Sequence, residues 1–246
     1  MKVIISPSKT MVEYVKCNRA LSLPNNEKEA KEIMNRLKEL TVEDIRQLMK
    51  INDRLAELNK SRYDSIKLDT NGNPAILSYD GLQYKNMQLD KFTEDEIDFL
   101  DNHIRIISGL YGVLKPFNSI YPYRLEMQSK IQIGDSSCLY DFWNSNIYKT
   151  LEKETDTIIN LASLEYSKII KPYIQTDMNF ITCVFKVKKG DKLKVESTAS
   201  KIARGQMIHY IIKNKIKRAP KIKDFNQDGY SYMEELSSKE EYVFVK

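Results

Sequence analysis

The chain has 246 residues, 41% of them hydrophobic, which is enough to bury one sizeable core and makes a single domain over residues 1–246 the expectation. Its 30% charged residues and few Gly and Pro exclude a disordered or fibrous chain, and no run approaches the ~18 apolar residues that cross a bilayer. The formal charge of +5 is unevenly placed, because residues 186–223 hold 13 Lys and Arg against Asp191 and Glu196, a local +11 that leaves −6 elsewhere.

The first predicted element is a strand, Val3–Ser6, running into the hydroxyl- and lysine-bearing turn Pro7-Ser8-Lys9. Its apolar stretch is too short for a secretory core, so the cytoplasm is the expected compartment. An amphipathic stripe at Ala30, Ile33, Met34, Leu37 and Leu40 predicts a helix over Glu27–Leu40. Thr41 and Asp44 have the spacing of a near capping box and open a second helix through Lys50. After a short break at Lys50-Ile51-Asn52, another helix begins near Arg54.

Ala75–Tyr79 reads as a strand, and Thr93 with Glu96 repeats the capping signal before a helix over Ile97–Ile107 that stops at Ser108-Gly109. The stretch from Gly109 to Glu126 carries Gly112, Pro116 and Pro122 and reads as a rigid connector. Further on, Tyr140–Glu152 reads as a helix, and Thr157–Leu161 and Phe180–Val187 as strands. A turn at Lys189-Gly190 then joins the latter to Lys192–Ser197. A helix over Ser200–Ile216, with Ser200 as its N-cap, and a strand at Tyr242–Val245 complete the pattern. The expected fold class is α+β or mixed α/β, a mixed sheet surrounded by helices rather than a doubly wound one.

Five segments carry residues suited to chemistry. Ser6, Ser8 and Lys9 follow a strand and can hold a phosphate or carboxylate, without the glycines of a P-loop. Asn160 and Ser163, with Glu165 beyond them, lie after another strand, where open α/β sheets place ligands; capping of the next helix is the alternative role. Arg124 and Glu126 alternate around Leu125 and read equally as a binding pair or a structural ion pair. Lys201 and Arg204 share one side of the last helix, with Ala203, Met207 and Ile211 on a core-facing stripe. Lys50, Ile51 and Asn52 form a hairpin between helices, readable as a phosphate-facing loop or as the join of two packed core helices. The basic stretch itself reads as a phosphate-binding surface or a solvated lysine-rich face.

Metal chemistry finds little support, since Cys17, Cys138 and Cys183 are dispersed and only His103 and His209 could join them. No structural metal or cofactor is expected, and direct iron sequestration is the least supported function.

The ordered series ISPSKTM, LMKINDRLAELN, ISGLYGVLKPFNSIYPYRLEM, LYDFW, NLASLEYSKIIKP and ASKIARGQMIHYII resembles the YaaA peroxide-stress family over nearly the whole chain. The resemblance implies a cytosolic protein that protects against peroxide by limiting damage from unincorporated iron. It also implies DNA binding through a positively charged cleft and a helix-hairpin-helix element. Carried onto this sequence, the cleft residues are Lys9, Arg124, Asn160, Ser163, Lys168, Lys201 and Arg204. At the hairpin, Lys50 and Asn52 depart from a glycine-rich pattern, and Asn is the residue besides Gly that best tolerates the left-handed conformation.

Two functions follow as expectations. One is largely sequence-independent binding of duplex or branched DNA, through Lys9, Lys50, Asn52, Arg54, Arg124, Lys168, Lys201 and Arg204. The other is an enzyme acting on a nucleotide or nucleobase in a cleft of Ser6, Lys9, Glu126, Asn160, Ser163, Glu165 and Arg204.

Overall fold

The computed structural model describes residues 1–68 and 72–246. Its centre is an eight-stranded mixed sheet made of β1 (Lys2–Ile5), β2 (Ile104–Ser108), β3 (Gly112–Leu114), β4 (Thr157–Asn160), β5 (Asn179–Lys189), β6 (Lys192–Lys194), β7 (Ser231–Tyr232) and β8 (Glu241–Val245). The order across the sheet is β7-β8-β5-β4-β1-β2-β3, with β6 folded back on β5.

The five inner strands are parallel, in the order β2-β1-β4-β5-β8. The pairs at β3, β6 and β7 are antiparallel. Val3, Ile4, Ile5, Ile158 and Ile159 are fully buried, as expected for strands covered on both faces. Counted along the chain, the inner strands run 2-1-3-4-5, so the winding reverses between β1 and β4. Open α/β sheets bind ligands outside the carboxyl ends of strands at such a reversal.

Around the sheet lie α1 (Glu27–Glu39), α2 (Val42–Met49), α3 (Asp53–Ser65), α4 (Glu94–His103), α5 (Leu139–Trp143), α6 (Asn146–Glu152) and α7 (Ser197–Lys213), together with shorter helical turns. The capping boxes at Thr41 and Thr93 form as expected, each hydroxyl accepting the amide three residues on while that residue's carboxylate returns to the cap amide. The Lys189-Gly190 hairpin also forms, with Gly190 at φ +59.

Four elements differ from the sequence reading. Ala75–Tyr79 is not a strand: residues 75–78 make one helical turn, closed by Ser78 Oγ donating to the Pro74 carbonyl at 2.9 Å. A short run that is almost wholly buried carries no periodicity to separate the two conformations.

The helix expected over Ile97–Ile107 ends at His103, and Ile104–Ser108 is the strand β2, paired in parallel with β1. Its residues are buried throughout, Arg105 included; Arg105 donates to the Asp101 and Ile104 carbonyls and pairs with Glu154 at 2.7 Å.

The helix over Tyr140–Glu152 breaks at Asn144, which takes φ 44 and turns the chain between α5 and α6. The break seats Trp143, fully buried, with its indole N–H on the Gly109 carbonyl at 2.9 Å.

Finally, α7 begins at Ser197, so Lys192–Ser197 is strand only as far as Lys194, and Ser200 lies inside the helix instead of capping it. Among the described residues no helix is long and apolar enough to cross a membrane, and no group of three or more His, Cys, Asp and Glu is arranged to hold a metal ion.

Candidate functional site

The carboxyl ends of β1 and β4 are tied together by their serines. The Ser163 amide donates to Ser6 Oγ at 2.8 Å, and Ser6 Oγ reaches Ser163 Oγ at 3.3 Å. Tyr84, a buried residue, donates from its hydroxyl to the Ser6 carbonyl at 2.8 Å. Ser8 Oγ donates to the Asp80 carbonyl at 2.6 Å, which fixes the turn after β1 against the short pairing of Thr10 and Met11 with Tyr79 and Asp80.

On this floor opens a deep chamber of about 450 Å³, lined by Ser6 to Thr10, Asp80 to Tyr84, Ser163, Glu165, Tyr166, Lys201 and Arg204. The last two come from α7, which approaches through Gly205. A Cβ there would lie 2.3 Å from the Gln83 carbonyl oxygen and 2.7 Å from Asn86 Cβ, so the contact requires glycine. One glycine thus sets how near the Lys201 and Arg204 side chains come to the turn after β1.

Arg204 is half-buried and pairs with no carboxylate among the described residues; its Nε has no hydrogen-bond partner. Burial lowers its pKa, with the buried Cys183 thiol opposing the shift, and the guanidinium remains cationic in all ordinary conditions. A desolvated guanidinium without a counter-ion is an anion site by chemistry.

A second chamber, of about 910 Å³, shares Lys9 with the first. Its walls bear Lys9, Arg36, Lys50, Arg124 and Lys130 against Asp44 and Glu126. A small cavity of about 10 Å³, here called the neck, is lined by Pro7, Ser8, Lys9, residues 123–126 and Tyr166 and so shares lining residues with both chambers. Lys9 lines both chambers and the neck.

At the neck Glu126 Oε1 receives Lys9 Nζ at 3.1 Å and Arg124 Nη2 at 3.0 Å. The Arg124–Glu126 pair foreseen from their spacing therefore exists, although on irregular chain. Glu165 accepts from the Gln128 amide at 3.3 Å. Burial pushes its carboxyl above the usual range, aided by the charge of Glu126 and opposed by that amide.

Of the residues singled out from the sequence, Ser6, Lys9, Ser163, Glu165, Lys201 and Arg204 share the deep chamber, and Lys9, Lys50, Arg124 and Glu126 the outer one. Asn160 lines neither. It is buried behind the floor, where Oδ1 accepts the Ala162 amide at 2.9 Å and Nδ2 donates to Thr182 Oγ1 at 3.3 Å, so it shapes the turn. Lys168 lies outside both chambers, over the Tyr140 ring at 5.0 Å.

In the α2–α3 hairpin, Lys50 takes the left-handed conformation (φ 51). Its amide and that of Ile51 donate to carbonyls of α2, while Asn52 caps α3 by accepting the Leu55 amide at 3.0 Å. Two hairpin amides are thus already satisfied. Arg54 is exposed on α3 and lines neither chamber.

The basic stretch is divided. Lys189, Lys213, Lys215 and Lys221 pair with Glu196, Glu96, Asp95 and Asp224, and Lys223 lies over Tyr232 and Tyr242. Lys201 and Arg204 are the two that enter a chamber.

Sequence reasoning missed Gly81, Tyr84, Tyr166 and Gly205. Gly205 carried a signal, since a glycine inside a helical pattern marks a close approach. The tyrosines carried none, as aromatic residues at such spacing fill cores far more often than they shape sites.

Residues 1–236 match the family model described as "Peroxide stress protein YaaA". The chain is 51% identical over 246 residues to a UPF0246 protein of Clostridioides difficile (strain 630), covering all of both chains. It is 41% identical to one of Desulfitobacterium hafniense (strain Y51) and 40% to one of Lachnoclostridium phytofermentans, covering all of this chain and 98% and 96% of theirs. The chain belongs to the peroxide stress protein YaaA family.

Proposed function

We propose that the chain acts in peroxide stress as a DNA-binding protein of the cytoplasm, holding backbone phosphates in the paired chambers with little regard to sequence. The observation that carries this reading is Arg204, a half-buried guanidinium without a counter-ion, in a chamber with Lys9, Lys201 and the Ser6 and Ser163 hydroxyls. Phosphate oxygens satisfy such a cluster bidentately. Lys50, Arg124 and Lys130 extend the positive field along the outer chamber, which suits a strand longer than one phosphate. Contacts of this kind fix position and carry no base preference.

A second reading, an enzyme acting on a nucleotide or nucleobase, is favoured by one observation. Glu165 lines the chamber with Lys201 and Arg204, Glu126 lines the small cavity next along Lys9, and burial raises the Glu165 pKa above the usual carboxylate range, the direction a general acid requires.

Binding of labelled duplex and four-way junction DNA, followed by anisotropy, separates cleft from surface. Arg204→Ala is expected to weaken binding about tenfold, the weight of one charge-assisted hydrogen bond. Lys217→Ala with Arg218→Ala, exposed and outside both chambers, is expected to change it little. The reverse ranking moves binding out of the cleft.

A further inference from the structure

The phosphate reading assigns no role to the lysines of residues 186–194, and the inference drawn from them rests on that reading and extends it. β5 runs parallel to β4, and the last residue of β4, Asn160, lies opposite Thr182. From there β5 continues seven residues in the same direction, to Lys189, or about 23 Å at the rise of a strand. It therefore extends past the carboxyl end of β4, where the deep chamber opens. β6 returns along it antiparallel, and α7, which brings Lys201 and Arg204 to the chamber, starts three residues after Lys194. Ribbon and chamber thus share one end of the sheet.

Register sorts the lysines of this ribbon. Directly opposite residues share a face, and they are Lys189 with Lys192, Lys188 with Leu193 and Val187 with Lys194. One face bears Lys186 and Lys188, the other Lys189, Lys192 and Lys194. Lys189 pairs with Glu196, and the other four have no carboxylate partner among the described residues. Lys188, Lys189, Lys192 and Lys194 are exposed, and setting Lys189 against Lys192 costs stability by repulsion. Uncompensated cations on both faces of one ribbon fit a partner that carries negative charge on two sides.

We propose that the ribbon of β5 and β6 grips double-stranded DNA, lying in the major groove between the two phosphate backbones while a nearby phosphate of the same duplex occupies the chamber of Lys201 and Arg204. That groove, about 12 Å wide, admits a two-stranded ribbon, and a backbone on either side meets both lysine faces. A single strand has one backbone and meets only one face, so the ribbon favours duplex. Leu193 and Val195 are exposed as well, which makes an anionic bilayer the competing partner; the place of the ribbon beside the phosphate chamber favours DNA.

The test compares the full-length wild type with a Lys188→Gln, Lys192→Gln, Lys194→Gln variant on a duplex and a single strand of equal length, each titrated with salt, and runs Arg204→Ala beside them. All three positions are exposed, so the triple variant is expected to melt as wild type does. Its duplex salt slope is expected to be smaller by about three, with a much smaller loss on the single strand, so that the preference for duplex shrinks. A duplex slope equal to that of wild type overturns the inference, and the chamber reading stands if Arg204→Ala still weakens binding. Equal losses on duplex and single strand overturn the groove grip as well. Lost binding to phosphatidylserine vesicles with duplex binding intact assigns the ribbon to a bilayer and also overturns it. A wild type that binds neither nucleic acid overturns both readings together.

Discussion

Lys9 Nζ lies 3.1 Å from Glu126 Oε1, the same oxygen that takes Arg124 Nη2 at 3.0 Å, so one buried carboxylate restrains cations from two separate segments. Lys9 is 60% exposed and Glu126 only 7%, which makes the carboxylate the fixed partner and the lysine the movable one. Glu126→Gln removes the negative charge while keeping the shape. The expected outcome is tighter DNA binding with a steeper salt dependence, since Lys9 and Arg124 are then free to meet phosphate. Anisotropy titrations of the variant at several salt concentrations check it, and weaker binding would count against a phosphate role for Lys9.

Gly205→Ala drives a methyl group to within 2.3 Å of the Gln83 carbonyl, a backbone atom that cannot swing aside. Overpacking of this kind costs about 1–3 kcal/mol. The variant is expected to melt at lower temperature and, with α7 pushed off the turn after β1, to lose DNA affinity as well. Calorimetry and binding on the same preparation check the two effects. Unchanged affinity in a destabilised protein would separate Gly205 from the site.

Glu165 provides a pH test. Its folded pKa is raised above the usual carboxylate range, first by burial. The folded state therefore holds the proton to higher pH than the unfolded chain does, so this group's contribution is complete below the unfolded pKa and is lost as pH rises through the folded one. Replacement by Gln removes the loss. Denaturant midpoints from about pH 4 to 7 are expected to show Glu165→Gln gaining on wild type as pH rises, and a gap that stays constant would refute the shift.

Cys183 is buried, and burial pushes its thiol up to about 12, with the Arg204 cation opposing the shift. The nucleophile toward peroxide is the thiolate. In the native protein Cys183 is expected to resist alkylation and peroxide, while Cys17 and Cys138, both partly exposed, react. Mass spectrometry after brief treatment checks the order, and native-state oxidation at Cys183 would point to opening near α7.

The residues that declared themselves in the sequence were those with local rules. Thr41 and Thr93 capped their helices, and Gly190 turned its hairpin, because each depends on neighbours within four residues. The strand Ile104–Ser108 was hidden, since a buried parallel strand and the tail of a buried helix share the same apolar run. At the site, Ser6, Ser163 and Arg204 were legible as residue types after strands or on a basic helix. Their convergence was not, because it depends on strand order and on Gly205, which join segments far apart along the chain. Asn160 and Lys168 line neither chamber, because one side chain is taken up by the turn after its strand and the other lies over the Tyr140 ring, which spacing does not encode.

The central claim, that Lys201 and Arg204 hold DNA phosphate in the deep chamber, is tested most directly by a salt titration of duplex binding. Wild type is compared with the Lys201→Ala, Arg204→Ala double variant. With about five to eight phosphates neutralised, wild-type affinity is expected to fall by about two to five decades from low to physiological salt. The double variant is expected to bind more weakly with a slope smaller by about two, one for each cation removed. Equal slopes, or a wild-type affinity indifferent to salt, would contradict the claim.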